Sequence, residues 1–192
     1  MPRCARRQRL ICGRSNHAVI ADKSKYTIEP LGHHDRAAFS CGNVPLDQYI
    51  REQASQDVKR GLAAVFVITA KDAPRTILSY YTLSSRELKI EQLPPEFAKK
   101  SRKYGYVGVT LLGRMAVDER YRGQGLGALT LLNALEKSLA ATRDVASWAV
   151  FVDAIDDAAA DFYRKYGFIE LPEDKRKLFL PMRTIARLFQ GW

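Results

Sequence analysis

Residues 112–128 read Leu-Gly-Arg-Met-Ala-Val-Asp-Glu-Arg-Tyr-Arg-Gly-Gln-Gly-Leu-Gly-Ala, and this stretch decides the fold class. An apolar strand ends at Val117, three glycines at alternate positions from Gly123 to Gly127 follow Arg122, and an apolar helix begins directly afterwards. Alternate glycines let the backbone turn tightly with its N–H groups facing inward. The N-terminus of the helix adds partial positive charge and Arg122 adds a full one. The stretch therefore predicts a loop that binds a pyrophosphate.

Other known loops fit these residues less well. Gly123, Gly125 and Ala128 match the dinucleotide fingerprint, and Asp144 stands where that fold places a ribose-binding acid. That fingerprint has its first glycine at the end of the strand, whereas residues 118–122 intervene here, and no second nucleotide-binding half follows. No Lys-Ser or Lys-Thr follows the glycines, which excludes a nucleotide-hydrolysing P-loop. A glycine-rich turn without a ligand remains the structural alternative.

A second motif, Phe-Tyr-Arg-Lys-Tyr-Gly-Phe at residues 162–168, lies downstream of the first. The two motifs in this order resemble motif A and the helix-to-strand turn of the GNAT N-acetyltransferase superfamily. The resemblance implies an α/β GNAT fold: a single domain whose central mixed, mostly antiparallel sheet has a splayed strand at Met115–Val117 and is flanked by helices. It also implies acetyl-coenzyme A as the cosubstrate.

The same resemblance assigns roles to residues. The backbone of the splayed strand would bind the pantetheine arm and polarise the thioester carbonyl. Tyr163 matches the family tyrosine beside the coenzyme sulfur, where its hydroxyl acts as general acid, although a core aromatic side chain is the alternative. We expect Tyr166 to pack against Phe168. None of the three histidines, His17, His33 and His34, is placed as a general base. The residues implied to bind the coenzyme are Met115, Ala116, Val117, Arg122, Gly123, Gln124, Gly125, Leu126, Gly127, Asp153, Ala154 and Phe162.

Length and composition favour one globular domain. The chain has 192 residues, of which 46% are hydrophobic, and it contains no apolar run long enough for a membrane span. Cys4, Cys12 and Cys41 lack metal-ligand spacing, so we expect no metal site, no disulfide framework and a cytoplasmic location.

Positive charge is concentrated at the N-terminus. The net charge is +10, and residues 1–25 contain seven Lys and Arg residues against the single acid Asp22. This arm has no apolar periodicity, so we predict a basic, disordered extension over residues 1–25 and an acetyltransferase domain over residues 26–192.

Hydrophobic patterning within the domain predicts strands packed with helices. The predicted helices cover residues 44–59, 125–142 and a short segment through 162–166. The predicted strands cover residues 26–30, 63–69, 76–88, a segment ending at 117, and residues 148–152, 168–171 and 178–180.

Segments from both halves of the chain indicate a subfamily. The segments Phe-Ser-Cys-Gly-Asn at 39–43, Ser-Tyr-Tyr-Thr-Leu-Ser at 79–84 and Leu-Phe-Leu-Pro-Met at 178–182 resemble those of TacT-type toxins from bacterial toxin–antitoxin pairs. The resemblance runs over about residues 26–185 in unbroken order. It implies a toxin that acetylates the α-amine of aminoacyl-tRNA and blocks translation, with a ribbon-helix-helix antitoxin and a homodimer as further partners.

The chemistry of the amine is consistent with that substrate. An α-amine titrates near pH 8 and is partly neutral at pH 7, whereas a lysine ε-amine near 10.4 needs a strong base or desolvation. Basic side chains would bind the RNA phosphates. The candidates are Lys99, Lys100, Arg102 and Lys103, which form the densest cluster, together with Arg36, Arg51, Lys59, Arg60 and Arg114.

Two other functions remain open from the sequence. One is a GNAT enzyme that acetylates protein N-termini or small amines such as polyamines and aminoglycosides. The second is a catalytically inactive GNAT fold that acts as a binding module, for example as a DNA-bound co-repressor with an antitoxin. A basic domain disfavours polyamines and aminoglycosides, because sites for cationic amines carry acids.

Overall fold

The computed structural model describes residues 20–99 and 102–190. Lys100 and His17 lie outside the described residues, as does the side chain of Arg102. The described residues form two compact units. The glycine-loop unit comprises residues 20–84 and 112–134, and the tyrosine unit comprises residues 85–99, 102–111 and 135–190. Among the described residues, no helix combines the length and apolar character needed to cross a membrane.

The described chain alternates strands and helices. The strands are β1 (Tyr26–Pro30), β2 (Ala64–Ala70), β3 (Ala73–Lys89), β4 (Tyr106–Val117), β5 (Ala149–Asp153), β6 (Ile169–Leu171) and β7 (Asp174–Pro181). The helices are α1 (Val44–Gln48), α2 (Ala54–Lys59), α3 (Pro95–Ala98), α4 (Leu126–Ala141), α5 (Asp157–Lys165) and α6 (Met182–Gln190), and a π-helical turn, Tyr49–Gln53, joins α1 to α2.

The strands form an open sheet in the order β1-β2-β3-β4-β5-β7-β6. The pairs β1–β2, β2–β3, β5–β7 and β6–β7 are antiparallel, whereas β4 and β5 are parallel. In the β4–β5 register, Thr110 lies opposite Val150 and Leu111 opposite Phe151, and β4 continues past this register to Val117. The predicted α/β fold with a mixed, mostly antiparallel sheet is confirmed.

In the glycine-loop unit, aromatic residues are the largest of the fully buried side chains. Phe39, Tyr49, Ile50 and Tyr80 are almost fully buried in one cluster, and the Tyr49 and Tyr80 rings stack with their centroids 6.2 Å apart. Asn43 begins α1 by accepting the N–H of Leu46 on its side-chain oxygen, at 3.2 Å. Burying an apolar side chain of this size stabilises the fold by about 1.5–3 kcal/mol, so the cluster fixes the α1–α2 segment.

The tyrosine unit has its own core. Phe97, Trp148 and Phe179 contact one another with ring centroids 5.2 to 6.1 Å apart. The Arg86 guanidinium lies 4.7 Å from the centre of the Phe151 ring on β5. The carboxylate of Asp156 accepts the N–H of Ala159 at 2.7 Å and so caps the start of α5.

One predicted boundary needs correction. The sequence assigns residues 20–25 to the disordered arm, but these residues belong to the glycine-loop unit. Ala21 is buried, and its N–H donates to the Gly125 carbonyl at 3.4 Å. Asp22 caps a 3-10 turn over Lys23–Lys25. Local capping and one buried alanine thus order a segment whose charge alone favours disorder. For residues 1–19, which are outside the described residues, the disorder stays a prediction.

Candidate active site

A buried carboxylate fixes the turn that follows β4. Asp118 is fully buried and accepts hydrogen bonds from the N–H of Ser40 at 3.2 Å, the N–H of Arg120 at 3.0 Å and Nε of Arg120 at 2.8 Å. Burial alone would raise the pKa of Asp118, but these hydrogen bonds and the Arg120 charge outweigh it and lower the pKa below its usual value. The carboxylate therefore holds the turn Glu119–Tyr121 to the segment around Ser40.

This carboxylate supports a stability prediction. Asp118→Asn should lower the free energy of unfolding at pH 7 by about 1–3 kcal/mol, because the amide leaves buried donors unsatisfied. Because the folded-state pKa is lowered, this contribution is complete above the ordinary carboxyl value of about 3.9 and is lost as the pH falls below it. Urea unfolding of the parent and the variant at pH 7 and at about pH 3 measures the difference in the free energy of unfolding at each pH. A stability difference that stays constant down to about pH 3 contradicts the assignment.

The glycine loop has the backbone that the sequence predicts for an anion site. Gly123 and Gly125 have φ of 73° and 79°, in the left-handed region that favours glycine. A Cβ at Gly123 would meet no atom within 4 Å, and Arg122, Gly123 and Gln124 are exposed, so the loop faces open space. The helix α4 begins immediately afterwards at the buried Leu126. An exposed loop of this shape at a helix N-terminus fits a pyrophosphate.

Arg122 is held beside this loop. Its guanidinium donates to the carbonyl oxygen of Cys41, and the N–H of Cys41 donates to the buried carboxylate of Asp47 at 2.8 Å. Gly42 has φ of 72°, and a Cβ there would lie 3.5 Å from the Arg122 guanidinium. The segment 39–43 thus sets the position of the charge that is predicted to bind a phosphate.

The strand β4 uses its side chains for packing. Ala116 is buried in the cluster with Phe39 and Tyr80, and Val117 packs with Leu126. Met115 is half-buried. The predicted role of these three residues depends on their backbone, which this packing holds in place.

Tyr163 lies on α5 within an aromatic group of the tyrosine unit. Its ring contacts Phe162 and Phe168, with centroids 5.5 and 5.3 Å away. Tyr163 is buried, and burial raises the pKa of its hydroxyl. Tyr166 packs against Phe162, with the ring centroids 5.0 Å apart, and the expected packing of Tyr166 against Phe168 stays a prediction. The hydroxyl of Tyr163 therefore stays protonated at neutral pH.

Asp153 and Ala154 follow β5. Asp153 is exposed and lies opposite Lys177 in the β5–β7 register. Ala154 is buried, and its N–H already donates to the Arg176 carbonyl at 2.7 Å. Of these two predicted coenzyme residues, Asp153 is the one whose side chain is open to solvent.

The basic candidates occupy different environments. Lys99 and Lys103 are exposed in the tyrosine unit, and Lys59, Arg60 and Arg51 are exposed in the glycine-loop unit. Arg114 differs, because its guanidinium lies 3.8 Å from the centre of the buried Tyr49 ring. Sequence reasoning missed this stack and the Asp118 carboxylate, because both depend on residues far apart in the chain.

Comparison with known proteins defines the class. The model of the acetyltransferase (GNAT) domain family matches residues 96–170. The strand order and the glycine loop are those that the sequence predicts for this family. This match and the similarity to a tRNA-acetylating toxin show that the chain is an acetyl-CoA-dependent acetyltransferase of the GNAT type.

Individual relatives narrow the group. The tRNA-acetylating toxin of Mycobacterium tuberculosis (strain ATCC 25618 / H37Rv) is 31% identical over 154 residues, which are 80% of this chain and 90% of the relative. The probable toxin TacT of Sinorhizobium fredii (strain NBRC 101917 / NGR234) is 29% identical over 174 residues, 86% of this chain and 96% of the relative. AtaT complexed with acetyl-methionyl-tRNAfMet superimposes with a TM-score of 0.79 at 28% identity, covering 85% of this chain and 99% of that chain. AtaT with a Tyr-to-Phe mutation, bound to acetyl-CoA and the C-terminus of the antitoxin AtaR, gives 0.73 at 26% identity, covering 86% and 98%. The chain belongs to the TacT-type toxins of the GNAT acetyltransferase superfamily.

Proposed function

We propose that this chain acetylates the α-amine of aminoacyl-tRNA and thereby blocks translation. The observation that carries the proposal is the similarity to the tRNA-acetylating toxin over 80% of this chain. The solved complex of AtaT with acetyl-methionyl-tRNAfMet, a similar protein, supports the same substrate class.

The coenzyme supplies an acetyl group as a reactive thioester. In our proposal, the N–H groups of the glycine loop and the Arg122 guanidinium bind its pyrophosphate, and the loop's exposure and positive φ angles support this. The backbone of Met115–Val117 would hold the pantetheine arm and polarise the acetyl carbonyl. In the tyrosine unit, Phe162, Asp153 and Ala154 remain the residues that we predict to contact the coenzyme.

Tyr163 would act as the general acid. The ordinary pKa of a tyrosine hydroxyl is near 10 and burial raises the pKa of Tyr163 further, so the hydroxyl carries its proton at neutral pH and can donate it to the departing sulfur. The attacking α-amine needs little help, because a group titrating near pH 8 is partly neutral at pH 7. His34 does not suit the role of base. Its Nδ1 accepts the N–H of Gly32 at 3.1 Å, and its Nε2 lies 3.2 Å from the Glu29 carboxylate.

The exposed basic side chains would bind tRNA through its phosphates. Lys99→Glu combined with Lys103→Glu should raise the KM for aminoacyl-tRNA and flatten its salt dependence, because each lost phosphate contact reduces the slope by about 0.7–0.9. The matched control, Arg143→Glu with Lys175→Glu, changes the net charge equally at exposed residues outside the proposed sites. Steady-state kinetics at several salt concentrations compare the two. Equal KM values in the two double variants contradict a role for this cluster.

The proposed partners and location follow from the same assignment. We infer a cytoplasmic toxin that is silenced by a ribbon-helix-helix antitoxin, and a homodimer as its assembly. The AtaT structure with the C-terminus of AtaR supports an antitoxin segment as the silencing element. An acidic or amphipathic segment suits the +10 charge of this chain.

A cell-free translation assay tests the block. The purified chain should stop protein synthesis only when acetyl-coenzyme A is present, and added charged tRNA should restore it until that tRNA is consumed. Inhibition that persists without acetyl-coenzyme A contradicts the proposal.

A further inference from the structure

A cationic cavity lies in the glycine-loop unit. Its volume is about 640 Å³, and the residues that line it include Arg36, Arg51 and Arg75, together with His34 and Asp35. Cavities of 300–1,000 Å³ are typical of small-ligand sites, so this one can admit a nucleotide-sized group. The sequence does not predict that Arg75 belongs to this cavity. The reason is that β3 brings Arg75 beside residues about forty positions earlier in the chain.

The charge of the cavity is positive. Asp35 is the acid among the lining residues, and its carboxylate already accepts the N–H groups of Ala37 and Ala38 at 3.2 and 3.3 Å. The Nδ1 atom of His34 accepts the Gly32 N–H, so the ring proton lies on Nε2, next to Glu29. Three arginines thus line one cavity together with a single acidic residue, Asp35, whose carboxylate accepts two backbone N–H groups.

Two of the arginines are already positioned. NH1 of Arg36 donates to the Ser55 hydroxyl at 2.6 Å, and NH2 of Arg51 donates to the Phe39 carbonyl. A guanidinium has five N–H donors, so each retains donors for an anion. The backbone of Arg75 is fixed by the Asp35 N–H, which donates to the Arg75 carbonyl at 2.8 Å. Side chains held in advance lose less conformational entropy when they bind.

The cavity is connected to the glycine loop through one segment. Residues 35–41 line the cavity at Asp35 and Arg36, and the Phe39 carbonyl anchors Arg51. Further along the same segment, Ser40 donates its N–H to Asp118, and the Cys41 carbonyl accepts from Arg122. An anion in this cavity would therefore be held by the segment that also positions the pyrophosphate loop.

We infer that this cavity binds a phosphate of the tRNA substrate. The inference rests on the proposed function and identifies Arg36, Arg51 and Arg75 as the basic residues that together form one binding site. A phosphodiester is favoured over an acidic peptide because planar guanidinium groups around one cavity suit a compact anion with several acceptor oxygens. A phosphate of the coenzyme has the same chemistry, and the experiment separates the two sources.

The test compares Arg75→Glu with Arg143→Glu, which carries the same charge change on an exposed residue outside the cavity. The Arg75 side chain makes no hydrogen bond or ion pair with the described residues, so its replacement should leave the fold intact. Binding of fluorescently labelled tRNA is measured against salt concentration, and calorimetry gives the affinity for acetyl-coenzyme A. Ser55→Ala keeps every charge and removes only the anchor of Arg36.

Arg75→Glu should weaken tRNA binding roughly tenfold or more at about 0.1 M salt and lower the salt slope by about one, whereas Arg143→Glu changes neither. Ser55→Ala should weaken binding less and leave the slope unchanged. Equal tRNA affinity in the two arginine variants overturns the inference. So does a loss confined to acetyl-coenzyme A, which assigns the cavity to the coenzyme. A parent chain that binds tRNA without acetylating it contradicts the proposed function. The tRNA affinities of the two arginine variants still decide whether the cavity binds tRNA.

Discussion

Tyr163→Phe should lower turnover by roughly 10²–10⁴-fold, the range that a positioned general acid contributes. The change removes one hydroxyl and keeps the ring that contacts Phe162 and Phe168. The affinity for acetyl-coenzyme A should stay within about twofold, because the proton is needed only when the sulfur leaves. Single-turnover kinetics and calorimetry measure the two quantities.

Tyr166→Phe is the matched control for this prediction. Tyr166 is also buried and contacts the same aromatic group through Phe162, but it has no proposed role in the chemistry. It should retain turnover close to that of the parent. Full turnover by Tyr163→Phe rules out the general acid, and equal losses in both variants indicate a structural role for the aromatic group.

Gly125→Val should weaken acetyl-coenzyme A binding by roughly 10–100-fold. Gly125 has φ of 79°, and a β-branched residue there costs about 1–3 kcal/mol. The loop can relieve this strain by changing its backbone, which removes the N–H groups from the positions that a pyrophosphate requires. Calorimetric titration with acetyl-coenzyme A gives the change in Kd.

Gly61→Val separates strain from binding. Gly61 has φ of 68°, follows α2 in the same unit, and has no atom within 4 Å of its Cβ position. It should lose a similar amount of stability while binding acetyl-coenzyme A as the parent does. If both valine variants bind the coenzyme normally, the glycine loop is not the pyrophosphate site.

Local sequence signals predicted most of the fold. The segment 44–59 has helical spacing of apolar residues, and the structure has α1, the π-helical turn and α2 over Val44–Lys59. The hairpin of β2 and β3 turns at Lys71 and Asp72, between the two strands predicted over residues 63–69 and 76–88. The alternate glycines predicted the left-handed backbone at Gly123 and Gly125, since few other residues adopt it.

Features that depend on distant contacts were not predictable. The helix α6 directly follows Pro181 at the end of β7 and has no acidic residue in its first turn, so no common start signal marks it. Asp118 reads as an ordinary turn residue, yet it is buried under the Ser40 segment, 78 positions away in the chain. Arg75 joins Arg36 and Arg51 only because β3 brings its backbone against Asp35.

Transfer of a labelled acetyl group tests the central claim most directly. The purified chain is incubated with labelled acetyl-coenzyme A and total tRNA that is either charged or deacylated, and lysine-rich peptide and free polyamine serve as competing acceptors. We predict label on charged tRNA alone, released with the amino acid as an N-acetyl aminoacyl species when the ester is hydrolysed. Label on the peptide or polyamine, with none on charged tRNA, would contradict the account.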